Sequence, residues 1–143
     1  MKIKLNCILI IDDDEPTNFI SRILIEDYGC AENIIIKQSS AEALKYLAKC
    51  AHSDPVNDFN QCPQLILLDI NMPAMNGWEF LEQYEKFDKT FKDKIVVEML
   101  TTSTNPDDRL KAEKIETVAG FETKPLTTGK LDLMLKQHFM SNF

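Results

Sequence analysis

The chain has 143 residues, a hydrophobic fraction of 44% and 23 acidic against 16 basic side chains, a formal net charge of −7. That size and balance predict one globular domain with a single core, and the acidity argues against a direct nucleic-acid binder or a protein adhering to anionic membranes. No apolar stretch approaches the ~20 residues of a spanning helix, and the N-terminus lacks a signal-peptide layout, so a cytoplasmic protein is expected.

The first apolar run, Leu5 to Ile11, predicts a buried strand and stops abruptly in Asp12-Asp13-Asp14. A helix follows from about Pro16 to Tyr28, with a proline suited to its first turn and Gly29 to its stop. A weaker strand covers Ile34 to Lys37. Capping-box spacing from Ser39 to Glu42 then opens a second helix reaching about Cys50. Ala51 to Pro63, rich in Asp, Asn, Pro and Gln, is long for an αβ connection and reads as a surface excursion or an extension of that helix.

The third strand, Leu65 to Leu68, ends in Asp69, and a loop marked by Pro73 and Gly77 follows at once. A third helix begins near Gly77, with Trp78, Leu81 and Tyr84 at core spacing; the charged stretch Glu82 to Lys94 reads as a solvated helix face and loop. A fourth strand, Ile95 to Leu100, runs into Thr101-Thr102-Ser103. The fourth helix opens at Asn105-Pro106-Asp107-Asp108, a cap, a first-turn proline and two acids at the positive end of the helix dipole. A short fifth strand, Val118 to Glu122, precedes Lys124-Pro125, and the last helix spans about Thr127 to Phe139.

Strands and helices thus alternate five times. That order predicts an α/β fold, a doubly wound parallel sheet of five strands flanked by five helices. Cys7, Cys30, Cys50 and Cys62 form no C-x-x-C pair and suggest neither a zinc site nor a disulfide framework; Cys7 reads as a small core residue. His52 and His138 show no matching partner and receive no role.

Polar residues end four of the strands. In strand order 2-1-3-4-5 the first and third strands flank the switch point, so Asp12, Asp13 and Asp69 converge in one crevice with Thr101 and Lys124 opposite. Three close carboxylates repel and are protonated, solvated or holding a cation. Oxygen donors alone suit Mg²⁺, or Mn²⁺, and no sulfur or imidazole is offered for zinc. Lys124 and the Thr101 hydroxyl suit phosphate oxygens. A carboxylate nucleophile, a divalent cation and an opposing positive charge are the parts of phosphoryl transfer to aspartate.

Ile-Ile-Asp-Asp-Asp, Leu-Leu-Asp-Ile-Asn-Met-Pro-x-Met-x-Gly, Met-Leu-Thr-Thr-Ser and Phe-Glu-Thr-Lys-Pro follow one another in register along nearly the whole chain. On these motifs the sequence resembles the receiver domains of two-component response regulators. Only the widened gap before the third strand departs from the family's spacing.

The resemblance implies a flavodoxin-like fold, one receiver domain over residues 1–143 with no output domain, and a phosphorylation switch rather than a turnover enzyme. It implies that Asp69 accepts a phosphoryl group from a sensor histidine kinase or a histidine phosphotransfer protein. Asp13 would bind Mg²⁺ directly, Asp12 through water, and the Asn71 backbone carbonyl would complete the protein ligands. Lys124 would pair with Asp69, with a cis bond to Pro125. Thr101 would be the switch hydroxyl and Phe121 the switch aromatic, burying as Thr101 moves inward. Asn71 and Ser103 would tune dephosphorylation.

The signal would leave through the face of the fourth helix, fifth strand and last helix to a downstream protein, or as a relayed phosphoryl group. Phosphorylation-dependent homodimerisation is compatible with the family. Two other readings compete. One is a receiver-like interaction module without phosphorylation. The other is a haloacid-dehalogenase-type phosphohydrolase, suggested by Asp12-x-Asp14 and Thr17, which needs an acidic metal motif after Lys124 where only Asp132 remains.

Overall fold

Five apolar runs pair into one sheet because each is bounded by turn residues and covered on both sides by helices. The computed structural model describes residues 3–52 and 62–140. It places β1 (Leu5–Ile11), β2 (Ala31–Lys37), β3 (Leu65–Leu68), β4 (Val96–Thr101) and β5 (Val118–Thr123) in the order β2-β1-β3-β4-β5. Every pairing is parallel, with Ile11 opposite Leu68 and Leu68 opposite Met99. The carboxyl ends of β1, β3 and β4 therefore finish side by side.

Side chains alternate between the two faces, as the pleat requires. Leu9, Ile11, Ile66, Leu68 and Met99 join one core, covered by α2 (Ser40–Ala51), α3 (Gly77–Tyr84) and α5 (Pro106–Glu113). Ile8, Ile10, Leu65, Leu67 and Leu100 join the other, beneath α1 (Glu15–Tyr28) and α6 (Thr128–Phe139). Burial on both faces is why the central strands read as unbroken aliphatic runs rather than as alternating ones. Cys7 is fully buried, a packing residue as expected.

Local signals set the boundaries. Asp14 caps α1 by accepting from the Thr17 N–H, and Gly29 ends it at φ 74°, donating its N–H to the Ile25 carbonyl. Ser39 Oγ accepts from the Glu42 N–H at 3.1 Å. The full reciprocal capping box lies instead at Asn76 and Glu79, opening α3.

Two expectations need correction. There are six helices among the described residues, not five, because α4 (Lys89–Lys92) forms inside the charged stretch expected to be loop. Its sequence is polar, but Phe91 within it meets Phe87, just before its cap, with the rings tilted and their centroids 5.5 Å apart, and both pack against the core. Burial of these two rings outweighs a charged background. The second strand begins at Ala31, three residues before the apolar run. Most of the long connection, residues 53–61, lies outside the described residues.

Candidate functional site

Three strand ends build the site. Asp12 follows β1, Asp69 follows β3 and Thr101 closes β4, and all three are buried, at 3%, 5% and 0% exposure. Backbone bonds fix their heights: the Asp69 N–H donates to the Ile11 carbonyl at 3.0 Å, and the Lys124 N–H donates to the Thr101 carbonyl at 2.8 Å. Asp13 is exposed at the rim. One carboxylate oxygen from each of Asp12, Asp13 and Asp69 lies within 4.8 Å of the others.

Lys124 answers this charge from the end of β5. Its Nζ stands 2.5 Å from Asp12 Oδ2 and 3.5 Å from Asp69 Oδ2, so Asp12 is the nearer partner. Asp69 Oδ1 is buried with no hydrogen-bond partner. Burial pushes the Asp69 carboxyl above the ordinary range, with the Asp12 charge adding to the rise; Lys124 is the main counterweight, and the Thr101 hydroxyl and Asn71 backbone act in the same lowering direction.

The arrangement fits a hard divalent cation. The donors are all oxygens, the carboxylates outnumber the lysine, and one buried oxygen is left without a partner. Asp12 and Asp13, with Asp69 and the Asn71 carbonyl, are the residues that would hold it. Asn71 is exposed two residues beyond Asp69. The loop between them packs closely: the Gly77 N–H donates to the Ile70 carbonyl at 2.8 Å. A Cβ at position 77 would lie 2.6 Å from the Asp69 carbonyl oxygen and 2.9 Å from Ile70 Cα. Only glycine lets the helix start so near the strand end.

A family model for the response regulator receiver domain matches residues 8–136. The chain belongs to that family. A two-component response regulator from Cytophaga hutchinsonii is 31% identical, with a TM-score of 0.82 over 96% of this chain and 97% of that one. The Mn²⁺-bound form of the response regulator Rcp1 is 26% identical, with a TM-score of 0.65 over 96% of each chain. An uncharacterised 14.6 kDa protein from the sodA1 3′ region of Leptolyngbya boryana is 26% identical over 94% of this chain and 90% of its own length. Receiver domains are signalling domains, and their histidine kinases and phosphotransfer proteins define the general class of partner. Among the described residues no helix is long and apolar enough to cross a membrane.

The remaining sequence-derived positions fall around this receiver pocket. The Lys124–Pro125 bond is cis. Ser103 donates its N–H to Thr101 Oγ1 at 3.3 Å and its hydroxyl to Asp108 Oδ2 at 2.5 Å. Phe121 is only 9% exposed, with the Arg109 guanidinium 4.9 Å from its ring centroid, so the burial expected on switching already exists here. Asp132, the one acid available to a phosphohydrolase after Lys124, sits on α6 bonded to the Tyr28 hydroxyl at 2.5 Å and Lys136 at 2.9 Å. Asp14 caps α1. Neither acid joins the pocket cluster, and nothing in the geometry favours the phosphohydrolase.

Several residues escaped the sequence reading. Asn18 is buried on α1 and donates its side-chain N–H to the Asp12 carbonyl at 2.8 Å, steadying the strand end from below. Glu98 is 2% exposed in β4 and meets His138 Nε2 of α6 at 2.9 Å, so His138 does have a partner. A single acid inside an apolar strand was a visible signal, since burial demands a partner. Nothing local named that partner, 40 residues away.

Proposed function

We propose that the protein is a phosphorylation switch in which Asp69 accepts a phosphoryl group from a histidine kinase or a histidine phosphotransfer protein. The observation that carries this is the partnerless Asp69 Oδ1, buried in a pocket where three carboxylates meet one lysine. A carboxylate oxygen of Asp69 forms the new O–P bond as the donor's N–P bond breaks, and the donor imidazole, protonated on its other ring nitrogen, keeps the bonding pair and leaves as a neutral ring. Lys124, a compact positive charge, shifts its attention from the carboxylates to the incoming phosphoryl oxygens. The Thr101 hydroxyl donates to another. Asp12, Asp13, Asp69 and the Asn71 carbonyl would hold Mg²⁺, or Mn²⁺, which when bound would supply charge neutralisation at the transferring group.

Occupancy of the pocket then biases the position of Thr101 and its loop, and with it the face formed by α5, β5 and α6. A downstream protein reads that face, or a second histidine takes the phosphoryl group on. Ser103 and Asn71, flanking the pocket, tune how fast water removes the group. The protein works where its kinase presents the phosphohistidine, in the cytoplasm, either as a monomer or through a phosphorylation-dependent dimer.

Intact-mass measurement after incubation with Mg²⁺ and a small phosphodonor tests the reading. One added phosphoryl group is expected on the wild type and none on Asp69→Asn. Label retained in Asp69→Asn would reassign the acceptor. An unlabelled wild type, with phosphohistidine donors as well as small ones, would leave an interaction module.

A further inference from the structure

Helix α5 is held to the body in an unusual way. Of its eight residues only Ala112 is buried, whereas α3, also eight residues long, buries Gly77, Phe80, Leu81 and Tyr84. Ala112 contributes a single methyl group, so apolar burial cannot fix the helix on the sheet. Three side-chain contacts do the rest. Asp108 accepts the Ser103 hydroxyl at 2.5 Å, Arg109 lies 4.9 Å over the Phe121 ring, and Lys111 lies 4.6 Å over the ring of Trp78 on α3.

Two of these contacts join residues that bracket the pocket. Ser103 also donates its N–H to Thr101 Oγ1, the buried hydroxyl beside Asp69. Phe121 sits on β5 three residues before Lys124, whose N–H in turn donates to the Thr101 carbonyl. A closed circuit results: Thr101, Ser103, Asp108, Arg109, Phe121, Lys124 and back to Thr101. We propose that Arg109 is a positioning residue of the phosphoacceptor site, fixing Phe121 beneath α5 so that the helix holds the Thr101 loop and the Lys124 strand end in one relative position.

The inference rests on the phosphorylation reading of Asp69 and adds a residue outside the pocket to it. An exposed cation–π contact and one long hydrogen bond are of similar strength, each worth about two- to fivefold in an equilibrium. Arg109's hold on Phe121 therefore weighs about as much in keeping the Thr101 loop in register as the Ser103–Thr101 bond itself. Coupling is reciprocal, so weakening that hold must change how readily the pocket accepts the group. Without the clamp, the pocket spends part of its time with the Thr101 loop and Lys124 strand end out of register, and acceptance slows.

The test compares wild type, Arg109→Gln and Arg109→Lys. Initial rates of phosphoryl uptake from a small phosphodonor in saturating Mg²⁺ are read by intact mass, and the Phe121 ring signals by NMR of the unphosphorylated protein. Arg109→Gln should slow uptake about two- to fivefold, the rate equivalent of one exposed cation–π contact. It should also shift the Phe121 ring signals while leaving the Mg²⁺-induced rise in melting temperature intact. Arg109→Lys, which keeps a cation, should restore most of the rate.

Unmoved Phe121 signals, an equal or higher uptake rate in Arg109→Gln, or an Arg109→Lys rate as low as that of Arg109→Gln would each overturn the proposal. An unlabelled wild type would fell the phosphorylation reading itself, and this inference with it. That failure is seen without any variant.

Discussion

Two charge clusters occupy the same sheet and differ in how completely they are paired and closed. At the carboxyl edge, Asp12, Asp13 and Asp69 face a single lysine, and one buried oxygen of Asp69 has no partner. Deeper in β4, Glu98 faces His138, one acid to one imidazole, and the facing position on β5 is Gly120. A Cβ there would collide with the Glu98 carboxylate, so the absent side chain is what makes room for the pair. In the second, the buried acid is paired one to one. The first is over-supplied with negative charge and open at Asp13, which marks it as the place where something arrives.

Burial raises both Asp69 and Glu98 above the ordinary carboxyl range, so a shifted pKa alone does not separate function from structure. Completeness of pairing does. Removing a member of each cluster should therefore have different remedies. Lys124→Ala should have the largest effect, abolishing stable phosphoryl uptake and costing about 3 kcal/mol in chemical denaturation, because two buried carboxylates lose their counter-charge. Millimolar Mg²⁺ should recover much of that loss, since a cation bound only by the native state stabilises it. A Lys124→Ala protein indifferent to Mg²⁺ would end the claim that the pocket is built for one.

Gly77→Ala comes next, at about 1–3 kcal/mol, because the added methyl must displace the Asp69 and Ile70 backbone rather than a yielding side chain. Its phosphoryl uptake should fall with its stability. Unimpaired uptake would mean that the strand end tolerates displacement.

At the closed pair, His138→Ala should cost about 1–2 kcal/mol at neutral pH, with no recovery on adding Mg²⁺. The imidazole is 20% exposed against 9% for the Lys124 side chain, which keeps the figure below that for Lys124. Its pH dependence carries the sign. Glu98 has its native pKa raised above 4.5, chiefly by burial, with His138 the main restraint. The native state therefore holds the proton more tightly than the unfolded chain. That stability is fully present below the unfolded value and is lost as pH rises through the native one. Without His138 the restraint is gone, so the loss should extend further above the ordinary glutamate range than in wild type. A flat difference would show that the histidine does not govern Glu98.

Smallest of all should be Glu98→Gln, within about 1 kcal/mol of wild type, since a neutral amide keeps the contact with His138 and avoids burying a charge. Phosphoryl uptake should be unchanged. For Asp69 the same direction of shift has the opposite use: uptake needs the ionised carboxylate. It should fail on acidification at a pH above that of a surface aspartate, and extra Mg²⁺ should move the failure lower.

The sequence by itself determined the sheet, the residues at its carboxyl edge and the family, because these are local matters. An aliphatic run that stops in Asp12 or Asp69 places a carboxylate at a strand end whatever happens elsewhere, and Pro16, Gly29 and Ser39 mark helix boundaries within a few residues of themselves. Tertiary structure alone decided who partners whom. It brought His138 to Glu98, set Lys124 nearer to Asp12 than to Asp69, and laid Arg109 over Phe121. It also turned the charged stretch after α3 into α4, through Phe87 and Phe91. Burial makes a partner necessary, a demand readable in one strand. Which residue meets it depends on how distant segments pack, and no pattern within a single element carries that.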